Sequence, residues 1–197
     1  MKNILILGPS RSGKTTLAKK LNAELGYSVV CFDNIVYAFG QAFPQLGICH
    51  GSGAGGTAAN LADFLIHYFR ALTDRHGHRD GVKFAAEGGF FEFDKIIPAM
   101  NEYGMADDFL FVGLVFGEKT PEELFRDIKK HDVPSDWSYN CDDETLMKCA
   151  EIFIEDSRQM REKFLRHRFM IYDVSSDRGL IMDEIISDIK ITQINGG

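Results

Sequence analysis

No run in this 197-residue chain approaches the roughly 20 consecutive apolar residues that cross a bilayer, so no membrane anchor is expected. The opening MKNILILGP carries one Lys, and Gly8 and Pro9 cut its apolar run short, which does not fit an export signal. Cysteine is sparse: Cys31, Cys49, Cys141 and Cys149, none spaced C-x-x-C. That excludes a zinc-finger spacing and a disulfide scaffold, and points to reduced thiols in a cytoplasmic protein. There is no surplus of base. Lys and Arg number 22 against 29 Asp and Glu, a formal net charge of -7. Nucleic acid, whose phosphates demand a basic surface, is therefore not an expected partner. Between residues 21 and 69 there is no Lys or Arg at all, and Trp137 is the single tryptophan.

What is present is an ordinary globular composition, 45% hydrophobic and 26% charged. This length and composition fit one domain over residues 1–197. Strand and helix signals alternate along it. NILIL at 3–7 reads as a strand buried on both faces. Leu17, Leu21 and Leu25 then recur at helical spacing, and Gly26 stops the helix. SVVCF at 28–32, VKFAAE at 82–87, DFLFVGLVF at 108–116 and RFMIYDV at 168–174 read as further strands. Residues 57–75 have Leu61, Leu65, Tyr68 and Leu72 on one helical face. Thr120-Pro121-Glu122-Glu123 is a helix start with a capping box and proline at the first helical position. A long helix to about 166 is expected to bury Leu146, Cys149, Phe153, Met160 and Phe164. In the last helix Ile181, Ile185 and Ile189 face inward, with Ser175, Ser176 and Asp177 as its cap. Residues 34–56 are irregular, and the run GICHGSGAGG within them is a loop. HGHRDG at 76–81 is a turn, with His76 and His78 too isolated for a metal site. The alternation predicts an α/β fold with a parallel sheet and helices on both faces.

Gly8-Pro9-Ser10-Arg11-Ser12-Gly13-Lys14-Thr15 matches G-x-x-x-x-G-K-[ST] in full, a phosphate-binding loop. It follows a buried strand and opens a helix, the context the chemistry needs. Successive backbone N–H groups and the positive end of the helix face the phosphates. Lys14 is expected to reach the outer phosphates. The Thr15 hydroxyl is expected to hold Mg²⁺, with Thr16 continuing the cradle. The bound nucleotide is expected to be ATP.

With these features in register, the chain resembles the small P-loop kinases, namely the nucleoside monophosphate kinases, shikimate kinase and their relatives. The resemblance implies a three-layer P-loop NTPase fold with a five-stranded parallel sheet in order 2-3-1-4-5. It implies an ATP- and Mg²⁺-dependent kinase acting on a small molecule, as a monomer or homodimer. Asp33, after the second strand, would contact the acceptor and take its proton; a helix cap is the plainer reading. Glu87, ending the third strand, fits the acid that orders Mg²⁺; a solvated strand end is the plainer reading there. The residues themselves leave open which carboxylate serves which partner. Related kinases place cations over the transferred group from a lid and the helix after it. Here that points to residues 131–143 as lid and to Arg158 as the cation, with Arg126, Lys129, Lys130 and Arg161 as further candidates. Glu155 could instead pair with Arg158, and the paired-arginine lid motif of those kinases is absent. Asp136-Trp137 could help close the site. The loop around Ser175 would pass near the nucleotide base.

The acceptor side spans about 34–80. In the nucleotide kinases, arginines after the second and third strands hold the acceptor phosphate. The base-free stretch 21–69 and the run Glu87-Gly-Gly-Phe-Phe-Glu92-Phe-Asp94 offer acid and aromatic surface instead. The expected acceptor is therefore neutral or cationic, with a hydroxyl or amine and some apolar area, drawing on Phe39, Phe43, Phe90, Phe91 and Phe93. Arg70, Arg75 or Arg79 folding back would restore a phosphate site. The alternatives are a nucleoside monophosphate kinase and a nucleotide-binding regulatory NTPase, the GTPase version being weakened by the lack of an N-K-x-D motif.

Overall fold

The computed structural model describes residues 2–50, 54–73 and 83–195. Strand β1 (Asn3–Leu7) is buried at every position. It sends Ile4 and Ile6 into one core and Leu5 and Leu7 into the other, the two-residue alternation of a strand covered on both sides. Helix α1 (Lys14–Leu25) returns the chain to β2 (Ser28–Cys31), and α2 (Phe32–Ala42) and α3 (Ala54–Thr73) lead to β3 (Phe84–Gly88). Then come α4 (Phe93–Glu102), β4 (Phe109–Val115), α5 (Pro121–His131), α6 (Asp143–Arg166), β5 (Met170–Asp173) and α7 (Arg178–Asn195). The five strands form one sheet in the order β2-β3-β1-β4-β5, with every pair parallel. Parallel neighbours need crossover connections, and the helices supply them while covering both faces.

The expected sheet order and alternation are present; the differences are local. Helix α2 starts at Phe32, so β2 ends at Cys31 and Asp33 is the second helical residue. Phe32 and Val36, four apart, are its buried contacts. Helix α4 was not expected from the sequence. Its buried residues Phe93, Ile96, Ile97 and Met100 follow a helical stripe, but Pro98 lies inside it, where proline forfeits a backbone hydrogen bond. Packing of that stripe outweighs the propensity. The capping box is formed: Glu123 N donates to Thr120 Oγ1 at 3.3 Å and Thr120 N to Glu123 Oε2 at 2.9 Å. Asp177 caps α7 by accepting from Gly179 N at 2.9 Å. The turn at 76–81, His76, His78, Arg75 and Arg79 lie outside the described residues.

Helix α6 buries Leu146 and Phe164 as expected and packs Phe153 and Met160, partly buried, against the two cores, but the expected single stripe is two. Leu146, Ala150, Ile154, Ser157 and Phe164 are the residues buried in the core. Cys149, Phe153, Asp156, Met160 and Lys163 form a neighbouring stripe that lines a cavity. The spacing of the two stripes is the same, so periodicity cannot separate them.

Candidate active site

The phosphate loop runs from the carboxyl end of β1 into α1. Gly8 is required by packing: a Cβ there would lie 2.7 Å from the Leu114 carbonyl oxygen and 2.9 Å from Ser12 Oγ. Gly13 caps α1 in a left-handed conformation, φ 94°, and no side chain bonds the helix's first N–H groups. An uncapped helix start of this kind is a seat for an anion. Ser12 is fully buried, and its Oγ has no protein partner. A buried hydroxyl without a partner is costly, and a phosphate oxygen in the cradle would satisfy it. These features fit a nucleotide phosphate.

Register brings the acid of β3 to the loop. Ile6 pairs with Glu87 and Leu7 with Gly88. Glu87 is 1% exposed, and the Thr15 hydroxyl donates to its Oε1 at 3.0 Å. Two hard oxygen donors side by side suit Mg²⁺, which takes few protein ligands and completes its octahedron with water and phosphate. Among the described residues no group of three or more His, Cys, Asp or Glu forms a metal cage. Glu87 is thus a buried residue one position inside the strand, rather than a solvated strand end.

Lys14 folds over the loop and donates from Nζ to the Pro9 carbonyl at 2.8 Å. Burial pushes its ammonium below the usual lysine range, while Glu87 and Asp33 oppose the shift. Lys14 is half-buried and held against its own loop, where a phosphate oxygen would take the place of the carbonyl.

Two cavities meet this loop's surroundings. One, about 780 Å³, is lined by Gly8, Pro9, Ser10 and Lys14 on the loop and by Asp33, His50, Phe90 and Trp137 among others. Phe91 and Phe93 also line it, though both are nearly buried; Phe39 packs edge-on against Phe64 at 4.9 Å and Phe43 is exposed. His50 Nε2 lies 3.3 Å from the Asp33 carbonyl oxygen, and its ring meets Phe90 at 5.4 Å. Asp156 from α6 faces the same space. Burial and Glu155 raise its carboxyl above the ordinary range, and Lys163 opposes the rise. The second cavity, about 990 Å³, lies between α5 and the start of α7, lined by Lys119, Asp127, Lys130, His131, Ser175 and Arg178 among others. Met182 of α7 abuts the phosphate loop, since a Cβ on Gly13 would sit 2.9 Å from its Cε. Burial lowers the Arg178 guanidinium below its usual range, with Asp127 opposing and Arg11 adding to the shift.

Arg158 lies elsewhere. It is exposed, with Nη1 3.5 Å from a Glu155 carboxylate oxygen, and it lines neither cavity. The cation that α6 presents to the smaller cavity is Lys163, five positions on. Sequence reading passed over Lys163, Asp156, His50 and Arg178. The first two were legible only as members of the stripe 149-153-156-160-163. Neither His50 nor Arg178 belongs to a motif.

A parallel α/β sheet in this order, with this loop after its central strand, defines the P-loop NTPase fold. Within that class the chain has the fold of the small P-loop kinases. It is similar to a gluconokinase from Sinorhizobium meliloti 1021 at 14% identity and a TM-score of 0.60, over 98% of this chain and 94% of that one. It is similar to a shikimate kinase from Bacteroides thetaiotaomicron at 17% identity and a TM-score of 0.57, over 98% and 97% of the two chains. A shikimate kinase from Aquifex aeolicus vf5 matches at 16% identity and a TM-score of 0.51, over 99% of each chain. No family model and no curated protein sequence matches. Among the described residues no helix is long and apolar enough to cross a membrane.

Proposed function

We propose that the protein is a kinase that moves the γ-phosphoryl group of ATP to a hydroxyl or amine of a small, neutral or cationic acceptor with apolar area. One observation carries this reading: the phosphate loop itself forms a wall of the 780 Å³ cavity, whose other walls are aromatic and acidic. A reacting group seated there stands against the end of the triphosphate, which a two-substrate transfer needs and a nucleotide switch does not. The kinase fold of the structural neighbours supports it.

The roles follow from position. Backbone N–H groups of Gly8 and of residues 10–16 hold the phosphates, Pro9 having none to offer, and Lys14 neutralises charge that builds on the transferred group. Thr15 and Glu87 would hold Mg²⁺, which shields the phosphate oxygens. Asp33, on the acceptor side, takes the proton of the attacking group. The larger cavity would take the base and ribose, with Arg178 near the phosphates. The loop at 131–143 acts as the lid. The cavity's cations are Lys14 and Lys163, against Asp33, Glu92 and Asp156. A phosphate ester of about two negative charges would meet more repulsion than attraction there.

The test is a thermal-shift screen of hydroxyl- and amine-bearing metabolites with a non-hydrolysable ATP analogue present. A ligand at 100 times its dissociation constant adds about 2.7 kcal/mol of stability, a readily visible shift. Hits are then assayed for ATP-dependent phosphorylation. A protein that hydrolyses ATP slowly, with no acceptor raising the rate, is a regulatory NTPase and not this enzyme.

A further inference from the structure

Arg11 belongs to the phosphate loop, yet its side chain serves another segment. Its backbone is left-handed, φ 66°, a conformation that glycine adopts freely and a long side chain rarely does. Its guanidinium donates to Asp132 Oδ1 at 2.5 Å, to Asp136 Oδ2 at 3.2 Å and to the Ser138 hydroxyl. These partners stand 121 to 127 positions away in the chain, on the loop between α5 and α6. The Arg11 Cζ also lies 5.8 Å from the centre of the Trp137 ring. Trp137 lines the smaller cavity and meets Phe153 of α6 edge-on at 6.3 Å. Both terminal nitrogens of Arg11 are thus spent on the loop, and two carboxylates neutralise its charge. The left-handed backbone belongs to the turn of the phosphate loop, and from it the side chain reaches the facing loop.

We propose that Arg11 is a positioning residue for the acceptor half of the site. It clamps residues 132–138 to the phosphate loop and so holds Trp137 as a wall of the cavity. Its planar guanidinium directs Nη1 to Asp136 and Nη2 to Asp132, and these two separate directed bonds set the loop's place more tightly than a point charge would. The proposal rests on reading that cavity as the acceptor site. On this view the phosphate loop grips nucleotide with its backbone and, through one side chain, shapes the space for the second substrate.

Trp137 is the only tryptophan among six tyrosines, so fluorescence excited beyond tyrosine absorption reports this loop alone. Arg11→Gly removes the fork without backbone cost, because glycine suits the left-handed position. The expected result is lower Trp137 anisotropy and stronger acrylamide quenching in the variant, with an unchanged circular dichroism spectrum. The double variant Asp132→Asn, Asp136→Asn should do the same, and it stands in if Arg11→Gly fails to fold. With the acceptor found in the screen above, kcat/KM for that acceptor should fall about 10- to 100-fold in the double variant, which leaves the phosphate loop intact, while its dissociation constant for ADP holds. Unaltered Trp137 anisotropy and quenching in both variants would overturn the clamp. Loss of ADP affinity in step with acceptor affinity would overturn the positioning role and return Arg11 to phosphate binding. If the wild type phosphorylates no acceptor, the kinase reading falls and the acceptor role with it. The fluorescence arm still decides whether the clamp exists.

Discussion

The Thr15 hydroxyl donates to Glu87 Oε1 across 3.0 Å, joining two residues 72 positions apart in the chain. One closes the phosphate-loop motif; the other is a nearly inaccessible acid near the end of β3. The contact places two hard oxygen donors side by side, and these would hold Mg²⁺.

Glu87→Gln should therefore raise the Mg²⁺ concentration needed for half-maximal turnover. The amide keeps the side chain's size and can still accept from Thr15, so only the charge is lost. Turnover measured against Mg²⁺ at saturating ATP checks it. An unmoved Mg²⁺ curve would place the metal on other groups.

Lys14→Ala should lower turnover by about 10²- to 10³-fold, as removal of a main electrostatic donor does. The fold should survive with little change in melting temperature, because the side chain is half-buried and bonds a carbonyl of its own loop. Turnover within about tenfold of wild type would sink the assigned role.

Binding should also take up a proton. Burial lowers the Lys14 pKa in the free protein, and polyphosphate alongside it raises that pKa again. The charged form binds more tightly, so ADP affinity is highest below the free-protein pKa and falls as pH rises through it. Calorimetry in buffers of different ionisation enthalpy, taken from neutral toward alkaline pH, reads the uptake. Loss of that uptake in Lys14→Ala assigns it; its persistence would point to another group.

If the smaller cavity takes the acceptor as proposed, Asp33→Asn should cut turnover far more than it weakens ATP binding, since Asp33 lines that cavity with Lys14. Removal of a positioned general base typically costs about 10²- to 10⁴-fold. Parallel measurement of kcat and of the ATP dissociation constant separates the two. Equal losses would make Asp33 a nucleotide contact.

AMP, CMP, UMP, GMP and dTMP should all be poor acceptors with ATP. The cavity meets their phosphate with Asp33, Glu92 and Asp156 and with few bases. Turnover of any of them near the roughly 1–100 s⁻¹ usual for kinases would restore the nucleotide-kinase reading.

Gly113→Ala tests the packing that seats α6. A Cβ at Gly113 in β4 would lie 2.5 Å from the Phe164 ring. Overpacking of this sort costs about 1–3 kcal/mol. Urea denaturation should show a lower midpoint with an unchanged slope. An unmoved midpoint would mean that Phe164 and α6 shift freely.

Much of this molecule is written locally. The apolar run of β1, the eight-residue phosphate motif and the Thr120–Glu123 box are contiguous, and each forms where its residues stand. Their interactions close over one to four positions or follow one periodicity, so reading them needs no partner. Helices α2 and α4 were missed for an equally local reason. Gly40 and Pro98 are poor helix residues, and packing against the sheet overrides them.

The sequence by itself determined the sheet order through its alternation and kinase resemblance, the phosphate loop, and the scarcity of base on the acceptor side. The tertiary structure alone decided which of two equal stripes on α6 meets a cavity, and that Lys163 rather than Arg158 is the cation there. It also turned Arg11 from the phosphates toward Asp132, Asp136 and Trp137. The reason is distance along the chain. These contacts join residues up to 126 positions apart, and periodicity says that a face is buried without saying against what.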